Sequence, residues 1–327
     1  MNRFRKMLSL TLCAATIMLC GCVSAPASTP QTTTVTEETV DPNTPLSDGK
    51  TLKLLAITSS FGLNTTQLLY DVAKAEGCTN VVVGRLYGSG CTLEMHVNNA
   101  NTNANYYEYT KISDDTNGWN QINAASLKYG LQDEDWDIIF IQQSAAKAGI
   151  EASYGDYIDQ LMVYVQENKT NPKARFVWNM TWAYQGDSTQ PVFVTEFKSN
   201  QMDMYQTIVD ITKDKVLPRK DFDRILPTGT VIQNARTSAF GDHLCRDTFH
   251  LNNYGGILAA YGMYAVLTGQ ELTQIHLDAV AASKNGIGGA EQILVPLTEN
   301  QKAIIIESVN NAIKNPFAVT ESVIKEG

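Results

Sequence analysis

The segment Trp136-Asp137-Ile138-Ile139-Phe140-Ile141-Gln142 constrains the fold of this chain more than any other stretch. Its four consecutive large apolar residues leave neither side of an extended strand for water, because successive side chains point to opposite faces. A strand of that kind belongs in the middle of a parallel sheet covered by helices on both sides.

The rest of the sequence supplies partners for it. Leu52–Thr58, Asn80–Tyr87, Ala174–Met180 and Ile225–Ile232 predict four further strands. Thr65–Ala75, Tyr154–Glu167, Pro191–Val216, Asn253–Leu267 and Glu299–Lys314 carry apolar residues at helical spacing, as at Tyr157, Ile158, Leu161 and Val165. Strands alternating with helices predict an α/β domain, a three-layer α/β/α sandwich around a mainly parallel, roughly five-stranded sheet of flavodoxin-like type. Ligands in such sheets sit beyond the carboxyl ends of the strands. Those ends are Ser59-Ser60, Gly88-Ser89-Gly90, Gln142-Gln143-Ser144 and Asn179 to Tyr184.

Arg3, Arg5 and Lys6 precede an apolar run from Met7 to Leu19, and Leu19-Cys20-Gly21-Cys22 follows at once. That pattern predicts an export signal over residues 1–21, too short to span a bilayer as a helix. The Leu-x-Gly-Cys ending resembles the lipobox of bacterial lipoproteins, which implies acylation of Cys22 and a lipid anchor in the cell envelope of a bacterium. Residues 22–50 are rich in Ser, Thr, Pro and acidic side chains without apolar periodicity, and are expected to form a disordered tether. Residues 51–327 then make one domain.

The formal net charge of −9, with no cluster of Lys and Arg, argues against a nucleic-acid partner and leaves a small molecule or a glycan. Beyond the anchor the cysteines are Cys78, Cys91 and Cys245, so at most one disulfide is open to them. Cys78 with Cys91 is the expected pair, and three buried thiols are the alternative.

Three groups of residues carry chemistry. Ser60 stands where a strand hands over to a helix, which exposes a hydroxyl beside free backbone N–H groups, although serine there also serves as a helix cap. Asp247-Thr248-Phe249-His250 places a carboxylate and an imidazole in one short loop, where the acid can fix the tautomer and leave Nε2 to accept a serine proton; a purely stabilising pair would look the same. The backbone N–H groups of Ser60 and Gly90 and the side-chain amide of Gln143 are candidate donors to a developing oxyanion. Asp242 and His243 add further metal-ligand types, but no third histidine or cysteine falls at zinc spacing. Trp182 and Tyr184 could stack on a sugar, and Asn234 and Arg236 could bind its hydroxyls. His96 follows the second strand's loop and either lines a pocket or is buried and hydrogen-bonded.

Taken in order, Leu-Ala-Ile-Thr-Ser-Ser-Phe, Leu-Tyr-Gly-Ser-Gly-Cys-Thr-Leu-Glu, Ile-Phe-Ile-Gln-Gln-Ser and Asp-Thr-Phe-His-Leu-Asn resemble the blocks of the SGNH, or GDSL-type, hydrolase superfamily over about Leu52–Leu267. The resemblance implies Ser60 as nucleophile, Asp247 and His250 as acid and base, and Gly90 and Gln143, with Gln142 as its alternate, in the oxyanion hole. It departs at Thr58-Ser59, where the family prefers Gly followed by Asp or Asn. It implies a carboxylic ester hydrolase that needs no metal or cofactor. With the export signal and the aromatics, the expected activity is deacetylation of a carbohydrate outside the cytoplasm. The rival expectation is a catalytically impaired, glycan-binding surface lipoprotein of the same fold. A long-chain lipase is disfavoured by the polar stretch from Asn98 to Asn105.

Overall fold

The computed structural model describes residues 44–116, 118–283 and 292–326. The expected signal, Cys22 and the tether up to residue 43 lie outside the described residues.

The chain runs β1 (Thr51–Thr58), α1 (Ser60–Thr66), α2 (Leu69–Ala75), β2 (Asn80–Tyr87), α3 (Leu93–Thr102), β3 (Tyr107–Ser113), β4 (Asn120–Ala125), α4 (Leu127–Gln132), β5 (Ile138–Ile141), α5 (Tyr157–Asn168) and β6 (Arg175–Asn179). It continues with α6 (Pro191–Glu196), α7 (Gln201–Ile211), β7 (Arg224–Leu226), α8 (Thr228–Arg236), α9 (Asn253–Thr268), β8 (Ala279–Ser283), β9 (Gln292–Pro296) and α10 (Glu299–Lys314). The main sheet has the order β4-β3-β2-β1-β5-β6-β7, and β8 and β9 form a separate antiparallel pair. The five strands β2-β1-β5-β6-β7 are all parallel, in the 2-1-3-4-5 order of doubly wound sheets. This is the α/β sandwich expected from the sequence.

Burial explains the layers. Along β1, Leu52, Leu54 and Ala56 enter one core while Leu55 and Ile57 enter the other, and Ile138 with Phe140 and Ile139 with Ile141 divide in the same way on β5. The first face is covered by α1, α2, α8, α9 and α10, the second by α3, α4 and α5. Helix α9 is apolar all round and buried along almost its whole length, as a helix must be that is enclosed by α1, α2, α8 and α10. It starts beside His250 and ends at Gly269, whose φ of +66° is the left-handed C-terminal stop that glycine favours.

Four expectations need correction. The sheet has seven strands rather than about five, because β3 and β4 add an antiparallel edge that polar Asn-rich sequence hid; β4 is almost wholly exposed. The run Ile225–Ile232 is not one strand but ends at Leu226, after which Pro227 leads into α8. Residues 44–50 are not tether: Leu46 and Ser47 both donate backbone N–H groups to Leu267 O, and Asp48 accepts from Lys50 and Thr51. Cys78 and Cys91 are free, as is Cys245. They flank the eight-residue β2, whose length of about 26 Å is several times the Cα separation a disulfide tolerates.

Phe140 sits fully buried at the centre of β5, so Phe140→Ala should cost about 3–5 kcal/mol in urea unfolding. Val163→Ala, on the exposed face of α5, should stay within about 0.5 kcal/mol. Equal costs would contradict this placement of the core.

Candidate active site

The turn from β1 into α1 places Ser60. Ser59 is extended (φ −107°, ψ −166°) and precedes the helix without a side-chain cap, and the Ser60 N–H has no partner among the described residues. Thr58, where the family pattern has glycine, donates its hydroxyl to Ser59 O at 3.0 Å. It lies where a Cβ on Gly62 would be, since such an atom would fall 1.8 Å from Thr58 Oγ1. The bulk gained at 58 is thus accommodated by the missing side chain at 62. The Gly88–Cys91 loop is tied to this turn by Gly88 N–H donating to Thr58 O at 3.0 Å.

The loop before α9 carries Asp247 and His250. A bridge between Cys245 and Leu251 and a bond from Arg246 N–H to His250 O (2.9 Å) close it. Thr248 at its tip has φ +73°, a costly conformation for a β-branched residue. Neighbours hold it there: Gln185 N–H donates to Thr248 O, Thr248 Oγ1 donates to Ser188 Oγ, and Trp182 Nε1 donates to Phe249 O. Asn64, on the same helix as Ser60, accepts from Leu251 N–H at 3.2 Å. Asp242, just upstream of the loop, receives Gly186 N–H and Gln201 Nε2 and pairs with Arg236 at 2.8 Å.

These elements bring Ser60, His250 and Asp247 together. His250 Nε2 lies 2.9 Å from Ser60 Oγ, and His250 Nδ1 lies 2.7 Å from Asp247 Oδ2, while Asp247 Oδ1 accepts the His250 backbone N–H at 2.8 Å. The ring nitrogen facing a carboxylate carries the proton, which leaves Nε2 as the acceptor toward the serine hydroxyl. Burial holds His250 below its ordinary pKa, opposed by the Asp247 carboxylate. Burial acts upward on Asp247, but the hydrogen bonds from the His250 ring and backbone outweigh it and leave the acid below its ordinary value. Near neutrality the pair is therefore a neutral imidazole beside a carboxylate, the state of a general base.

Of the expected oxyanion donors, Gly90 is an exposed glycine at φ +59° whose N–H has no partner among the described residues. Gln143 does not serve. Its Oε1 accepts from Leu93 and Ser144 N–H, and both hydrogens of its Nε2 are taken by O and Oγ of Ser153, so the amide staples the loop after β5 to α3. Gln142 turns toward the site instead, its Nε2 3.4 Å from Ser59 Oγ. Its Oε1 accepts from Asn179 Nδ2 at 2.8 Å, and Asn179 Oδ1 accepts from Thr228 Oγ1 at 2.6 Å. Thr228 carried no signal, because it fell inside the expected strand Ile225–Ile232, and only the end of β7 at Leu226 puts it beyond a strand.

The expected sugar contacts are also corrected. Trp182 (0% exposed) stacks flat on Phe61 with ring centroids 3.9 Å apart, and Tyr184 (2%) packs among Phe61, Phe193 and Phe249. Together they form the wall behind His250, whose ring lies 4.0 Å from Phe249. Asn234 is buried between α8 and α10, bonded to Ser308 O and Thr320 N–H, and Arg236 is buried against Asp242 and Gln233. His96 is fully buried, with Nδ1 2.8 Å from Tyr107 Oη, and burial pushes its pKa down to about 3. Among the described residues no group of three or more His, Cys, Asp or Glu could hold a metal ion.

Two hollows flank the loop after β5: one of about 270 Å³ edged by Thr92, Glu94, Lys147 and Tyr157, another of about 470 Å³ edged by Lys147, Tyr184, Gln190 and Glu196. A cavity of about 540 Å³, between Pro45, Arg224 and Phe317, lies at the opposite end of α9 and away from this chemistry.

No curated protein matches the chain. A crystal structure of a DUF4886 family protein from Bacteroides uniformis is 33% identical, superposes with a TM-score of 0.72, and covers 83% of this chain and 98% of that one. A catalytic mutant of an acetylxylan esterase from Geobacillus stearothermophilus covers 67% of this chain and 95% of that one at 11% identity and a TM-score of 0.36, a likeness too slight to carry an argument. Residues 53–284 match the family described as DUF4886, domain of unknown function. The chain belongs to the DUF4886 family.

Proposed function

We propose that this chain is a serine ester hydrolase that removes acetyl groups from a carbohydrate outside the cytoplasm, with Ser60, His250 and Asp247 as its triad. The observation that carries the reading is the continuous Ser60 Oγ–His250 Nε2 and His250 Nδ1–Asp247 Oδ2 chain at 2.9 and 2.7 Å. His250 accepts the Ser60 proton as Oγ attacks the ester carbonyl, and returns it to the departing sugar alkoxide. Water, activated by the same Nε2, then releases acetate from the acyl-serine. The N–H groups of Ser60 and Gly90 and the Gln142 amide are the donors this reading assigns to the oxyanion, and one such donor supports about 3 kcal/mol of the barrier reduction.

The two hollows along the loop after β5 mix polar residues (Thr92, Glu94, Lys147, Gln190 and Glu196) with apolar ones (Ile150, Pro191 and Val192), a lining that can meet both the hydroxyls and the faces of a sugar, and neither is a long apolar trough. Export and acylation at Cys22 belong to the same reading and rest on the sequence of residues 1–22.

The chain should hydrolyse p-nitrophenyl acetate and acetylated xylan, and Ser60→Ala should lower kcat by at least about 10³-fold with the fold intact by circular dichroism. A parent without turnover on either ester would end the enzyme reading. The acid limb of kcat/KM should fall below the ordinary histidine value of 6.5, because the buried imidazole must lose its proton to act and does so at lower pH than a free one. Asp247→Asn should lower kcat by about 10³–10⁴-fold by letting His250 take the wrong tautomer. In cells fed a labelled fatty acid, the chain should take up label and partition into detergent, and Cys22→Ser should abolish both; unchanged labelling would remove the anchor.

A further inference from the structure

Gln142 can stabilise an oxyanion only if its amide presents N–H rather than C=O to the serine. The two orientations are nearly isosteric, so packing alone does not choose between them. Something in the surroundings must break the tie.

The hydrogen-bond chain behind Gln142 does so. Thr65, on α1, spends its single hydroxyl hydrogen on Phe61 O at 3.0 Å, so toward Asn179 it can only accept. Asn179, the last residue of β6 and 1% exposed, therefore turns Nδ2 toward Thr65 (3.4 Å), and the same Nδ2 reaches Gln142 Oε1 at 2.8 Å. Its Oδ1 is left to accept the Thr228 hydroxyl at 2.6 Å. With its Oε1 taken, Gln142 has Nε2 on the side of Ser59, the residue before Ser60, and donates to Ser59 Oγ at 3.4 Å. All four residues are buried, so water cannot scramble the order; reversing the Gln142 amide alone would leave two donors facing each other, and reversing Asn179 alone two acceptors.

We propose that Thr65, Asn179 and Thr228 are positioning residues that fix the polarity of the Gln142 amide, directing its N–H toward the reacting carbonyl oxygen. The proposal rests on the serine-hydrolase reading of the site for its consequence, and on the buried chain itself for its direction. None of the three touches the substrate; they act through Gln142.

The test compares Asn179→Asp, Asn179→Leu and Thr228→Val with the full chain, using p-nitrophenyl acetate. Aspartate has no N–H, so it accepts from Gln142 Nε2 and turns Gln142 Oε1 toward the oxyanion, whereas leucine only cuts the chain. The expected result is a fall in kcat of about 10²-fold for Asn179→Asp, with KM unchanged, a smaller fall for Asn179→Leu, and recovery when Thr228→Val is replaced by Thr228→Ser. In a Gln142→Ala background Asn179→Asp should lower kcat no further. Equal kcat losses for aspartate and leucine, or an undiminished loss in that background, would overturn the proposal. If the parent itself turns over no ester, the serine reading fails separately. Neutron diffraction then decides the relay: deuterons on the Gln142 nitrogen facing Ser59 support it, and deuterons facing Asn179 overturn it.

Discussion

The parallel pairing of β1 with β2 on one side and β5 on the other determines where the functional groups of this molecule stand. Registering Ile57 against Ile141 puts the residues that follow each strand, Ser59-Ser60 and Gln142, side by side at one edge of the sheet. Registering Thr58 against Tyr87 brings the Gly88–Gly90 loop there too. This is the point at which the strand order reverses, where helices leave toward opposite faces and a crevice must open. The pairing is enforced by burial: β1 and β5 contribute apolar side chains to both cores, so sliding the register by one residue would exchange the two faces throughout the centre of the sheet.

Against that rigid edge, the acid–base pair stands on a loop that is held rather than packed. Thr248 occupies a left-handed conformation, and the hydrogen bonds from Gln185, Ser188 and Trp182 hold it in place. The brace from Asn64 matters in a different way, since it links the loop of Asp247 and His250 to the helix that begins with Ser60. The wall of Phe61, Trp182, Tyr184 and Phe249 then excludes water from the rear of the imidazole, which is why the ring is neutral although a carboxylate touches it.

Much of this was legible in the residues. The parallel strands announced themselves through apolar runs, and β2 matched its expected limits because Asn80 and Tyr87 bound an uninterrupted strand pattern. Ser60, Asp247 and His250 were legible because their chemistry is local: a strand-to-helix turn, and an acid three residues from an imidazole. What stayed hidden was decided by distant neighbours. Strand β4 shows water nearly every side chain and so has no apolar period to read. Trp182, Tyr184, Asn234 and Arg236 carry the chemistry of a sugar site yet are enclosed by helices and loops far away in sequence. The choice between Gln142 and Gln143 turns on Ser153 and Asn179, which no reading of the adjacent pair could supply.

The hydrogen bond between Ser60 and His250 joins residues 190 positions apart. A chain synthesised from its N-terminus at roughly 5–20 residues per second carries the serine for roughly 10 to 40 s before the imidazole exists. During that interval the hydroxyl is an ordinary, weakly nucleophilic alcohol. On the proposed reading the serine therefore gains its base only after the loop before α9, the helix that packs against α1 and α2, has been made. The order of the residues along the chain thus sets the earliest moment at which Ser60 and His250 can meet.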